Sequence, residues 1–81
     1  MNKNTEQDIL ETVRKALGKD GEKLTLKSRS VDIESWDSLG HLGILAALDK
    51  QFEGKIASVE EMATVDSMPK IIDILKKHSL I

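Results

Sequence analysis

The chain has 81 residues, enough for one domain, 1–81, and not for two. Apolar residues at 40% and charged residues at 32% describe a soluble globular chain and exclude a disordered one. There is no cysteine, which excludes a disulfide framework and a thiolate metal site, and no apolar run approaches the roughly 20 residues of a membrane span.

A domain of this size buries roughly 60% of the surface its unfolded chain exposes. So small a core favours a module that presents one reactive group over an enzyme with its own substrate cleft. His41 and His78 are far apart and lack partners at metal-ligand spacing, so no metal is expected. The N-terminus MNKNTEQD is polar and unlike a signal peptide, which makes the cytoplasm the expected location.

The first helix is expected from about Thr5 to Leu17. Ile9, Leu10, Val13, Ala16 and Leu17 recur at helical spacing and form one apolar stripe. Asn4 or Thr5 can cap its start, Glu6 and Asp8 suit the positive end of the helix dipole, and Gly18 is a natural stop.

Residues 18–36 read as a long loop. Leu24, Leu26, Val31 and Ile33 are its apolar anchors, expected to lie across the bundle and close one end of the core. Leu24-Thr25-Leu26 suggests a short strand, but no second strand pattern exists to pair with it, so no sheet is expected. A loop this long in a small domain is often functional.

A second helix is expected from Asp37 or Ser38 to about Phe52, with Asp37 as cap. Leu39, Leu42, Leu45, Ala46 and Phe52 are assigned to its apolar face, with Leu48 beside it. Gly40 and Gly43 each cost about 1 kcal/mol relative to alanine inside a helix. They point either to tight helix packing or to a close approach to the first turn, by backbone or by ligand.

Ser58 and Glu61 have the spacing of a capping box, so a short third helix is expected near 58–63. The last helix contains Ile71, Ile72, Ile74 and Leu75. Thr64 or Ser67 can cap it, the latter with Pro69 tolerated in the first turn. The expected fold is all-α: an antiparallel four-helix bundle of three long helices and one short, with a long first loop.

The chemistry lies in Ser35-Trp36-Asp37-Ser38-Leu39-Gly40-His41-Leu42. A serine at a helix start holds its hydroxyl near the unpaired N–H groups of the first turn. Those groups and the helix dipole favour an anion, so a phosphodiester on Ser38 would gain from both.

The Asp37-Ser38-Leu39 triplet resembles the modification motif of acyl carrier proteins. The longer Trp36-Asp37-Ser38-Leu39 followed by His41-Leu42 resembles carriers of specialised biosynthetic pathways. The likeness extends along nearly the whole chain, through Phe52-Glu53-Gly54 at the end of the second helix and Thr64-Val65 before the last. It implies that Ser38 receives 4′-phosphopantetheine from coenzyme A, attached by a phosphopantetheinyl transferase with magnesium. It further implies that the arm's terminal thiol carries an acyl or aminoacyl thioester between loading and transferring enzymes, and that the chain itself is not an enzyme. The chain departs from fatty-acid-synthesis carriers in one respect. After Asp37 its second helix carries only Asp49, with Glu53 just beyond, which leans toward a specialised pathway.

Within this frame Trp36, Asp37 and Leu39 support the attachment site, and Gly40, His41, Asp49, Glu60 and Glu61 are the expected partner-facing positions. Simpler roles stand beside these. Trp36 can anchor the loop on the bundle, and Glu60 and Glu61 can be plain first-turn charges. His78, beside Lys76 and Lys77, suits the negative end of a helix. Leu42, Ala46, Ile56, Met62 and Ile71 can part to shelter an acyl chain or serve only as core. A Ser38–His41 catalytic dyad is not expected, because the G-x-S-x-G elbow is absent.

Charge is uneven. Residues 1–33 sum to +1, 34–66 to −5 and 67–81 to +2. The acidic middle suits a basic protein partner, and no dense basic face exists for nucleic acid. A monomer is expected, since the assigned polar faces leave no apolar patch. The alternatives are a helical interaction adaptor that is never modified and a carrier of amino acids or D-alanine.

Overall fold

Three α-helices carry the fold: α1 (Glu6–Leu17), α2 (Ser38–Gln51) and α3 (Met68–Lys77). The computed structural model describes residues 5–81, and Asn4, one of the two caps considered for α1, lies outside the described residues. Short 3₁₀ turns at Gly18–Lys23, Ser30–Asp32, Ile56–Ser58 and Glu60–Thr64 fill the connections. The described residues contain no β-strand, only an isolated bridge between Arg29 and Ser67.

Local chemistry sets the helix starts. Thr5 Oγ1 accepts from the Asp8 N–H at 3.2 Å while Asp8 Oδ2 accepts from the Thr5 N–H at 3.0 Å, a reciprocal capping box at α1. Ser67, not Thr64, caps α3: its Oγ accepts from the Lys70 N–H at 3.2 Å, with Pro69 in the first turn. The expected short helix is a 3₁₀ turn instead, and its capping box does not form. Ser58 Oγ donates to the Lys55 carbonyl at 2.9 Å, and Glu61 turns away to α3, so neither side chain serves the other's backbone.

The long loop is tied down rather than free. Arg14 reaches out of α1 to the Leu24 carbonyl through Nε at 3.2 Å and Nη2 at 2.9 Å. The Ser30 N–H donates to the Asp66 carbonyl at 2.7 Å, and the Met68 N–H to the Ser28 carbonyl at 2.8 Å, which joins the loop to the start of α3. Leu24 and Ile33 are buried anchors and Leu26 is half-buried. Val31 is not an anchor: it is 78% exposed. Residues three apart eclipse in a 3₁₀ turn, so with Ser30 half-buried and Ile33 buried, Val31 is left pointing out.

The core is continuous across all three helices. Ile9 and Val13 of α1, Ile44 and Leu48 of α2, Met62, and Ile71 and Leu75 of α3 are almost wholly buried. Each such side chain contributes about 1.5–3 kcal/mol on removal from water. The buried row of α2 is Ile44 and Leu48, continued by Phe52 at its end; of the face assigned from the sequence only Phe52 is buried, and Leu48, placed beside that face, is at its centre. Leu39 is 78% and Leu42 61% exposed, Ala46 is exposed, and Leu45 is half-buried. From Ile44 to Leu48 the helix is apolar at every position, so periodicity has no polar face to measure against.

Candidate functional site

The site is the entrance to α2. Asp37 Oδ1 accepts from the Gly40 N–H at 2.9 Å, while the Asp37 carbonyl accepts from the His41 N–H at 2.8 Å. Ser38 is thereby the first residue of α2, and it is exposed. Among the described residues no hydrogen bond engages its hydroxyl. The first turn carries no acidic side chain, which leaves the positive end of the helix dipole uncancelled there beyond the Asp37 cap.

The segment leading into Ser38 is fixed through Ser35, in part by Asp20, a residue the sequence did not mark. Asp20 Oδ2 accepts from the Ser35 N–H at 3.0 Å, and Ser35 Oγ donates to the Leu17 carbonyl at 3.2 Å. These ties fasten the approach to Ser38 onto the end of α1. Gly40, expected to face a partner, is half-buried against this segment. A β-carbon on it would stand 1.9 Å from the Ser35 carbonyl oxygen, so the close approach inferred for this turn is made by backbone. Gly43 lies at the crossing with α1, where a β-carbon would meet the Ala16 carbonyl oxygen at an ordinary 3.7 Å.

Trp36 is buried, at 5% exposure, and anchors the loop on the bundle. Its Nε1–H donates to His41 Nδ1 at 3.1 Å. The two rings are within 13° of parallel with centroids 6.4 Å apart, the separation of rings meeting edge to edge along that bond rather than face to face. His41 Nε2 lies 2.8 Å from the Met62 carbonyl oxygen. His41, expected to face a partner, lines the open trough. It is half-buried, and both ring nitrogens are engaged within the chain.

Between α2 and the 60–64 turn runs an open apolar trough in two adjoining parts that share Leu45 and Ala63. The part at Ser38 has a volume of about 530 Å³, with Trp36, Asp37, His41 and Leu42 also on its walls. The farther part, of about 310 Å³, is lined by the buried Ile56, Val59 and Met62 and edged by Asp49 and Glu60. Ile71 is fully buried.

The remaining carboxylates divide by role. Asp49 is half-buried and its Oδ1 accepts from the Ala57 N–H at 3.0 Å, holding the connection after α2. Glu60 is exposed. Glu61 is exposed but engaged, with His78 Nε2 at 2.8 Å and Lys77 Nζ at 2.9 Å. Its carboxyl is held below the ordinary range by the hydrogen bond from His78 first and that from Lys77 second. Leu39 stands exposed beside Ser38, and with Leu42 it puts apolar surface on the outer side of α2, where the sequence reading left no apolar patch.

Among the described residues no group of three or more His, Asp or Glu is placed to hold a metal ion, and no helix is long and apolar enough to cross a membrane. No protein-family model, no curated protein and no solved structure matches this chain.

Proposed function

We propose that this chain is a carrier of thioester-bound intermediates, an acyl carrier protein whose Ser38 bears 4′-phosphopantetheine. The observation that carries this reading is the exposed, unengaged Ser38 hydroxyl of an Asp-Ser-Leu triplet, at the first residue of α2 and at the mouth of an apolar trough. The fold is read as an antiparallel four-helix carrier bundle in which the 60–64 turn stands in the place of the short helix.

The residues fit such a group. A phosphodiester on Ser38 would lie beside the unpaired N–H groups of the first turn, and the Asp37 cap holds that turn open to it. The arm supplies the thiol that this cysteine-free chain lacks. Leu42, Leu45 and Ala46, with the floor of Ile56 and Met62, offer apolar shelter to a cargo chain. Both nitrogens of His41 are occupied, which supports Ser38 as an attachment point rather than an activated nucleophile. Leu39 and Leu42, with Glu60 at the trough's edge, form the surface offered to a transferase and to loading enzymes in a specialised cytoplasmic pathway. Acyl and aminoacyl cargo, D-alanine included, are both compatible with this surface, because the loading enzyme makes that choice.

The exposed Leu39 and Leu42 also favour a second reading, an adaptor that is never modified. Intact mass after incubation with coenzyme A, magnesium and a broad-specificity phosphopantetheinyl transferase separates the two. The carrier reading expects a gain of one phosphopantetheine group, absent in Ser38→Ala. No gain with that enzyme or with the transferase of the chain's own source sinks it in favour of the adaptor.

A further inference from the structure

One chain of hydrogen bonds, Trp36 to His41 to Met62, ties the loop, α2 and the 60–64 turn together at the Ser38 end of the trough. The indole N–H can only donate and the Met62 carbonyl can only accept. Both bonds therefore form together only on a neutral imidazole that carries its proton on Nε2. A second proton must go to Nδ1, where it would set N–H against the N–H of Trp36. The bond to Met62 survives that change and the bond to Trp36 does not.

The surroundings of His41 leave this step open. On this part of the trough the loop contributes Ser30 and Trp36, both uncharged, and residues 63–65 bring no charge either. Asp37, the cap of α2, is the other titratable side chain there. On the neighbouring part stand Asp49 of α2 and Glu60, while Glu61 is engaged by Lys77, the last residue of α3, and by His78 just beyond it. No lysine or arginine lines either part.

From this geometry we infer that His41 is a positioning residue and a proton-operated latch: neutral, it joins Trp36 to the 60–64 turn across the wall of the trough, and protonated, it lets Trp36 go. The other histidine acts in the opposite sense on the same turn. A protonated His78 adds a charge opposite to that of Glu61 and fastens the turn to α3. Protonation of the two histidines thus loosens the contact of Trp36 and leaves the α3 side held. This goes beyond the carrier reading and does not depend on it.

Trp36 is the only tryptophan, so its fluorescence reports the latch directly. The intact chain is titrated from about pH 8 to about pH 5. The expected result is a one-proton shift in Trp36 emission that is kept in His78→Gln and lost in His41→Gln. Nitrogen-15 NMR of the wild-type chain at about pH 8 is expected to show the proton of His41 on Nε2, whether or not the variants fold. Emission that stays flat across the histidine range, a shift that persists in His41→Gln, or a proton found on Nδ1 would each overturn the latch. None of these results bears on Ser38 modification, which is read by mass.

Discussion

The carbonyl oxygen of Ser35 lies 1.9 Å from the place a β-carbon of Gly40 would occupy, so the loop before Ser38 rests directly on the first turn of α2. Together with the Asp20 and Leu17 ties to Ser35, this contact fixes the direction in which Ser38 leaves the bundle.

The two glycines of α2 should respond oppositely to alanine. Gly40→Ala must displace backbone, and an overpacking cost of about 1–3 kcal/mol is expected. Gly43→Ala meets only ordinary contact, so the helix-propensity gain of up to about 1 kcal/mol should show. Urea denaturation of both variants checks this, and equal effects would contradict the placement of Ser35.

The leucines of α2 should separate stability from binding. Leu48→Ala removes a fully buried side chain and is expected to cost about 2–5 kcal/mol. Leu39→Ser and Leu42→Ser alter exposed surface and should stay within about 0.5 kcal/mol of the wild type. Under the carrier reading the latter two slow transfer of phosphopantetheine to Ser38, measured as initial rate by intact mass.

Both α2 and α3 end with a non-glycine residue in the left-handed region, Glu53 at φ +56° and Ser79 at φ +59°. Each lies in a closing motif: the Gly54 N–H reaches the Asp49 carbonyl, and the Leu80 N–H reaches that of Leu75, both at 2.8 Å. Glu53→Gly and Ser79→Gly should each stabilise the chain by about 1 kcal/mol, seen as a higher Tm.

The Glu61 ties should show in acid. Its carboxyl is held low in the folded chain by His78 and Lys77, so the unfolded state binds the proton more readily. The stabilisation is therefore present above the ordinary value of 4.5 and is lost as pH falls through the lower folded value. Glu61→Gln should be less stable than the wild type near pH 6, with the difference shrinking as the pH is lowered toward about 3, by urea midpoints at about those values.

The α-helical starts and stops were written in neighbouring residues. Thr5 with Asp8, Asp37 with Gly40, Ser67 with Pro69 and the stop at Gly18 act over a few positions, so their partners are close in the sequence. The stripes of α1 and α3 could be read for a similar reason: polar residues flank them, and a 3.6-residue period has an edge to detect. The placement of Ser38 at the first turn of α2 follows from the Asp37 cap and was readable in the same way.

The buried face of α2 was readable only at its end, at Phe52, because a stretch apolar on every side is oriented only by what packs against it. Glu61 looked like half of a capping box until α3 brought Lys77 and His78 to it from sixteen and seventeen positions away. His41 carried no sign of its internal bonds because its partner, the Met62 carbonyl, is 21 residues along the chain. By itself the sequence determined the three α-helices, though not the 60–64 turn or which of two caps starts α3, and the exposed serine that opens α2, since those depend on interactions a few residues long. Only the tertiary structure decided which side of α2 is core, why Gly40 is a glycine and what holds His41, since those depend on groups that meet only when the chain has folded.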